Sequence, residues 1–252
     1  MKLLKGVGGT LLLGVIWYFL VETGRISPLL LPSPQELFKQ MIEDFLSGSL
    51  PMGLLHSLLM IFLALIPSVI LGFFMALFSF HSRKMDRFFQ TLSALAHPLP
   101  GIALLPLLII WTGLGPQIIL LIVAHSVIWP FYINLRNGFR DIPPLWIDVA
   151  RNRELSEWDL LFKLMIPASS TQILSGLKIS WARSWRAVIA AEMLYGTIGG
   201  SGGLGWFIYQ KRIFMDSPGL FGGLLLLMIT GVVVDKLVFQ RWEMQLKGRG
   251  ET

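Results

Sequence analysis

Arg183, Arg186 and Glu192 stand inside the apolar run 172–198, in a chain where few other charges are so placed. Arg183 and Arg186 are three residues apart, one helical turn, and form a shared cationic face. Glu192 follows Arg186 by six residues, so a direct pair along one helix face is not assured. Two uses of the arginines remain open. They form a positive stripe lining the path of an anion, or they are structural, paired with an acid on another helix or reaching back to the inner interface. Glu192 either touches solute or braces the bundle, and bracing is the expectation.

A second group of charges lies in "VARNRELSEWDLLFKLMIPASS" (149–170), which gathers Arg151, Arg153, Glu154, Glu157, Asp159 and Lys163. Ile147, Ala150, Leu155, Trp158, Leu161, Phe162 and Met165 supply an apolar side to two short helices. Such an amphipathic unit rests on a membrane surface or docks into a groove of a soluble partner.

Other chemistry is excluded by residue type and spacing. There is no cysteine, hence no disulfide, thiolate ligand or cysteine nucleophile. His56, His81, His97 and His125 form no metal-binding pair and are read as polar groups at helix interfaces, and no metal or catalytic residue is expected. No G-x-S-x-G elbow occurs. The glycine-rich "GTIGGSGGLG" (196–205) lacks a following Lys-Ser or Lys-Thr and is not an ATP site; it reads as a closely packed, gate-like loop, with a purely passive turn as the alternative. An intramembrane enzyme therefore finds no acid, base or nucleophile cluster. A membrane scaffold would use the charged unit but not the charged run 172–198.

The elements that must position these residues follow from composition. Of 252 residues, 54% are hydrophobic and 14% charged, against about 25% charged in soluble domains. About 20 apolar residues cross a bilayer core. Six candidate spans emerge, at 3–22, 53–80, 88–111, 117–136, 172–198 and 218–238. The expected fold is all-α, a single membrane domain over 1–252 with about six transmembrane helices. Pro98 and Pro100 make the third span the least regular, ending one helix and starting another. Trp111, Trp129, Trp146, Trp158, Trp206 and Trp242 read as interfacial anchors.

Basic residues orient the chain. Lys2, Lys5, Arg83, Lys84, Arg87, Arg136, Arg140, Arg151, Arg153, Lys163, Lys178, Lys236, Arg241, Lys247 and Arg249 fall in alternate segments; only Arg25, Lys39, Lys211 and Arg212 fall in the others. Both termini are therefore expected on the cytoplasmic side. The same distribution accounts for the net charge of +6 without nucleic acid. Between the first two spans, 27–50 reads as an outer amphipathic helix, with Ser33 as N-cap, Pro34 in its first turn and Gly48 as its stop. The loop 137–171 is the longest cytoplasmic segment.

Particular stretches carry a family resemblance. Asp148-Val149-Ala150, then Glu154, then Leu164-Met165-Ile166-Pro167 resemble the E-A-A-x-x-x-G … I-x-L-P signature of ATP-binding-cassette importer permeases. Asp, Val and Glu154 depart from the usual Glu, Ala and Gly. "LLPSPQELF" (30–38), "HPLPGIALLPLLIIWTGLG" (97–115), "GLKISWARSWRAVIAAEML" (176–194) and "GGLGWFI" (202–208) resemble the nitrate, sulfonate and taurine branch, in order along nearly the whole chain.

The resemblance implies a permease subunit of the bacterial inner membrane, paired with a second copy. Two cytosolic ATP-binding subunits would hold ATP and Mg, this chain holding no cofactor, and an extracytoplasmic binding protein would deliver solute. Asp148, Ala150, Arg151, Glu154, Leu155, Trp158, Leu161 and Pro167 would then form the ATPase-coupling element, and Arg183, Arg186 and Glu192 the substrate path. Relatives of similar appearance take uncharged or cationic vitamin precursors. At Glu154 a side chain implies either a right-handed helical turn or strain, where glycine would tolerate positive φ.

Overall fold

A computed structural model describes residues 14–196 and 202–250. Every regular element among them is helical. The first candidate span begins outside the described residues; its described part, 14–22, is helical and is labelled α1. In chain order there follow α2 (Pro34–Leu46), α3 (Ser49–His81), α4 (Arg83–Ala96), α5 (Leu105–Thr112), α6 (Gln117–Arg140) and α7 (Pro144–Asn152). Then come α8 (Glu157–Ala168), α9 (Ser170–Gly196), α10 (Leu204–Ile213), α11 (Ser217–Val234) and α12 (Gln240–Gly250).

Three helices are long and apolar enough to cross a membrane: Ser49–His81, Gln117–Arg140 and Ser217–Leu246. Two further candidate spans are bent pairs, α4 with Gly101–Thr112 at 87° and α8 with α9 at 69°. The third candidate is thus a broken element. Proline has no N–H to continue a helical ladder and disfavours helical geometry in the residue before it; α4 ends at Ala96 with His97 as its C-cap, Pro98 and Pro100 follow, and the chain resumes as a 3₁₀ turn, Gly101–Leu104. Pro67 and Pro130 remain inside α3 and α6. Next to Pro67, the Ser68 hydroxyl donates to the Ala64 carbonyl at 2.6 Å, which offsets part of the disturbed ladder.

The chain divides into two units, 1–57 with 192–229 and 58–191 with 230–252. In the first, α2 opens on a capping box: the Ser33 hydroxyl accepts from the Glu36 N–H and the Glu36 carboxylate from the Ser33 N–H. Gly48, at φ +81°, follows its end. Leu37, Leu50, Leu204, Phe207 and Ile208 are buried in this unit. Lys211 on α10 bonds Asp44 of α2 at 2.9 Å and Asp216 at 2.7 Å. Burial alone would push the Lys211 ammonium down, but Asp216 and Asp44 outweigh it and hold it above the usual lysine range.

The second unit is built around Met75, Ala76, Phe131, Tyr132, Leu135, Phe139, Ile142, Ala150, Leu160, Leu161 and Met165. On α4, Asp86 joins Arg136 (2.5 Å from Nε, 3.1 Å from Nη2) and Arg140 of α6, and accepts from Gln90 at 2.7 Å.

Candidate functional site: a cationic cavity and a docking elbow

The break after α4 shapes a cavity of about 640 Å³ in the second unit. Its walls are the break itself (His97 to Ile102), one stretch of α6 (Ile122, His125, Ser126) and one of α9 (Arg183, Arg186, Ala187, Ala190). Gly101 permits the close approach that seats the break on α6: a Cβ there would lie 2.9 Å from both the Ile122 carbonyl oxygen and the Ser126 Oγ. Arg183 approaches His97 Nε2 at 3.4 Å through Nη2. Because a guanidinium only donates, Nε2 accepts and the ring proton sits on Nδ1. Arg186 turns its Nε onto the Ala182 carbonyl one turn back, at 3.0 Å.

Among the described residues, no carboxylate lines this cavity. Two guanidiniums, two imidazoles and a hydroxyl face a shared space with Ile, Leu, Pro and Ala for the remaining wall, a combination that suits an oxyanion. Sequence reasoning identified Arg183 and Arg186. It assigned His97 and His125 to satisfied helix interfaces, whereas each lines the cavity and leaves a buried Nδ1 without a hydrogen-bond partner. The signal was present in "HPLP": a histidine at the last residue before a proline break cannot be packed along a continuing helix.

Glu192 has a different setting, in the first unit. It is 1% exposed. Its carboxylate accepts from the Ser57 hydroxyl (2.7 and 2.9 Å) and the Gly205 N–H (2.9 Å), with His56 Nδ1 3.5 Å away. Ser57 in turn accepts from the Leu204 N–H at 2.8 Å. Gly203, at φ +89°, passes so close to the carboxylate that any Cβ would collide with it. Glu192 thus ties α9 to α3 and to the start of α10. Of the glycine-rich run, 197–201 lie outside the described residues.

The charged unit forms an elbow of α7 and α8. Glu154 has φ +55°, so the glycine-like conformation is kept by a glutamate. The surrounding hydrogen bonds are those of a Schellman cap: Leu155 N–H to Ala150 C=O at 3.3 Å and Glu154 N–H to Arg151 C=O at 2.8 Å. The left-handed region costs a non-glycine residue roughly 1–2 kcal/mol. Of the two outcomes expected at Glu154, strain is the one found.

A groove of about 330 Å³ follows the elbow, lined by Leu145, Trp146, Val149, Ala150, Arg153, Leu155, Lys163 and Leu164. Asp148, Arg151, Glu154 and Pro167 are exposed. Trp158 (70% exposed) stacks on Phe162 (59%) with ring centroids 6.0 Å apart. Ala150 and Leu161 are buried in the core of the unit, so within the set read from sequence they support the elbow, while Trp158 is exposed. Phe162, not in that set, completes the exposed aromatic pair. A π-helical turn over Leu160–Met165 rotates the two faces apart, which a regular 3.6-residue period does not convey. Among the described residues no three His, Asp or Glu are placed to hold a metal.

Residues 68–240 match the family model of the binding-protein-dependent transport system inner membrane component. The chain is 27% identical over 223 residues to SsuC of Bacillus subtilis, named for aliphatic sulfonates transport, covering 88% of this chain and 79% of that one. It is 25% identical to the taurine transport system permease protein TauC of Escherichia coli (91% and 84%) and 26% identical to the bicarbonate transport system permease protein CmpB of Synechococcus elongatus (95% and 87%). An inward-facing conformation of the MetNI methionine ABC transporter superposes with a TM-score of 0.68 at 18% identity, over 81% of this chain and 98% of that one, a likeness of fold. A family match over 68–240, with relatives aligned over 88% to 95% of the chain, makes this protein a member of the binding-protein-dependent transport inner membrane component family, in the nitrate, sulfonate and taurine branch of ATP-binding-cassette importer permeases.

Proposed function

We propose that this chain carries a small oxyanion across the bacterial inner membrane as the permease subunit of an ATP-driven importer. The observation that carries the reading is the cavity at the α4 break, with Arg183, Arg186, His97 and His125 and no carboxylate. Guanidinium forks match the paired oxygens of sulfonate, nitrate and bicarbonate alike, and the relatives' names span sulfonates, taurine and bicarbonate. An uncharged or cationic vitamin precursor would meet two arginines with no compensating acid, so the anion is the better fit.

In this reading six spans place both termini inside. Two copies of the chain form the path, two cytosolic subunits bind ATP and Mg, and a binding protein delivers solute from outside. Alternating access follows from movement of the α7–α8 elbow with the ATPases. The deciding measurement is ATPase activity of the reconstituted complex with binding protein and a panel of taurine, alkyl sulfonates, nitrate and bicarbonate. Stimulation by one of them in wild type, reduced at least tenfold in Arg186→Ala, is expected; stimulation only by uncharged or cationic solutes would overturn the reading.

The elbow is tested separately. Trp158→Asp with Phe162→Asp is expected to abolish co-purification of the ATPase while leaving the thermal midpoint of the permease within a few degrees, because both rings are exposed. Leu161→Asp would instead place a charge in the core. Normal assembly of the double aromatic variant would remove the docking role from this face.

A further inference from the structure

We propose that His97 is the positioning residue of the cavity: as a neutral imidazole it takes one N–H of Arg183 on Nε2 and aims the rest of that guanidinium at the incoming oxyanion. The inference rests on the oxyanion reading given above.

The two cavity arginines are held in different ways. Arg186 bonds the Ala182 carbonyl of its own helix, so α9 alone orients it. Among the described residues, Arg183 has only His97 as a polar side-chain partner. His97 is itself well anchored. Its backbone N–H donates to the Ser93 carbonyl at 2.8 Å, closing α4, and four residues later Gly101 is wedged against α6. A long flexible side chain is thereby tied to a point that two helices fix, which lowers the disorder that anion binding would otherwise have to remove.

The choice of residue matters as much as the contact. A carboxylate at this position would hold Arg183 equally well but would cancel its charge, as Asp86 does for Arg136 and Arg140. A neutral imidazole accepts one N–H and leaves the positive charge and the remaining donors available. The Arg183 contact also fixes the tautomer, placing the single ring N–H proton on Nδ1, which is buried without a partner among the described residues. A lysine or arginine at 97 could not accept at all.

The test is the dissociation constant of radiolabelled taurine, sulfonate or nitrate, whichever stimulates wild type, for the permease–ATPase complex in nanodiscs without binding protein. His97→Phe keeps the ring volume and removes the acceptor; its dissociation constant is expected to rise about tenfold. His97→Gln, with an amide oxygen for Arg183, is expected to stay within about threefold of wild type, and His97→Asn, too short to reach, to behave like His97→Phe. Should His97→Phe fail to assemble, the Gln and Asn pair reads the same contrast. In an Arg183→Ala background, His97→Phe should add nothing, because the two residues act as one.

Equal affinity in all three His97 variants, or a His97→Phe loss that persists without Arg183, would overturn the positioning role while leaving the oxyanion reading in place. Absence of anion binding to the wild-type complex would overturn that reading and this inference with it.

Discussion

Two arginine pairs in the same unit meet opposite fates. Arg136 and Arg140, four residues apart on α6, converge on the carboxylate of Asp86, and Arg136 is almost as buried as its acid. Arg183 and Arg186, three apart on α9, face a cavity that no carboxylate among the described residues lines. An arginine in an apolar chain is costly unless something accepts its hydrogen bonds. Where the fold supplies an acid, the pair is architecture. Where it supplies only a neutral imidazole and a backbone carbonyl, the charge is left over, and a charge left over beside a cavity is available to a solute. The lesson is that the partner, rather than the arginine, tells the two roles apart.

The largest expected effect comes from removing the acid of the first pair. Asp86→Ala leaves Arg136 buried and unpaired, and should destabilise the permease by about 3–5 kcal/mol, read as a fall in the thermal midpoint of the purified protein. A loss below about 1 kcal/mol would erase the distinction between the pairs. The converse substitution gives the second pair an acid. Ala190 lines the cavity one turn from Arg186, and Ala190→Glu creates an i,i+4 pair worth about 0.5 kcal/mol or less. Anion-stimulated ATPase activity should drop at least tenfold with the midpoint nearly unchanged; an undiminished response would show that these charges do not meet the solute.

Lys211 extends the comparison to a third cation, held by Asp44 and Asp216. Its affinity for protons is raised on folding, so its contribution is fully present below the unfolded value of about 10.5 and is lost as pH rises through the higher folded value. The stability difference between wild type and Lys211→Met should therefore be constant from neutral pH to about 10 and shrink beyond it, measured by denaturation across that range. Smallest of all is Glu154→Gly. Relief of the left-handed strain, less the chain entropy of glycine, should stabilise the elbow by no more than about 1 kcal/mol; destabilisation would mean that the Glu154 side chain makes a contact more valuable than the strain.

Much of the architecture is legible in residue type. Apolar run length locates α3, α6 and α11, Ser33-Pro34 starts α2, and Pro98 with Pro100 breaks α4 from α5, each a local rule acting on adjacent residues. The cavity is half legible. Arg183 and Arg186 announce themselves by being charged, but that His97 reaches Arg183 across 86 positions, or Ser57 reaches Glu192 across 135, leaves no periodicity to read. The α7–α8 elbow shows a third kind of limit. Leu161 and Trp158 are three apart, and a regular helix would set them on one face; the π turn at Leu160–Met165 separates them into core and surface.

The nest around Glu192 has a consequence for how this position tolerates change. Among the described residues, all the groups bonded to its carboxylate are donors: the Ser57 hydroxyl and the Gly205 N–H, with Leu204 donating to Ser57 behind them. An amide would replace one acceptor with two further donors in a place already full of them. The usual ordering of mild and severe substitutions is inverted there, since glutamine, nearly identical in shape, carries the wrong polarity. Aspartate, shorter by a methylene, keeps the acceptors and becomes the gentler exchange.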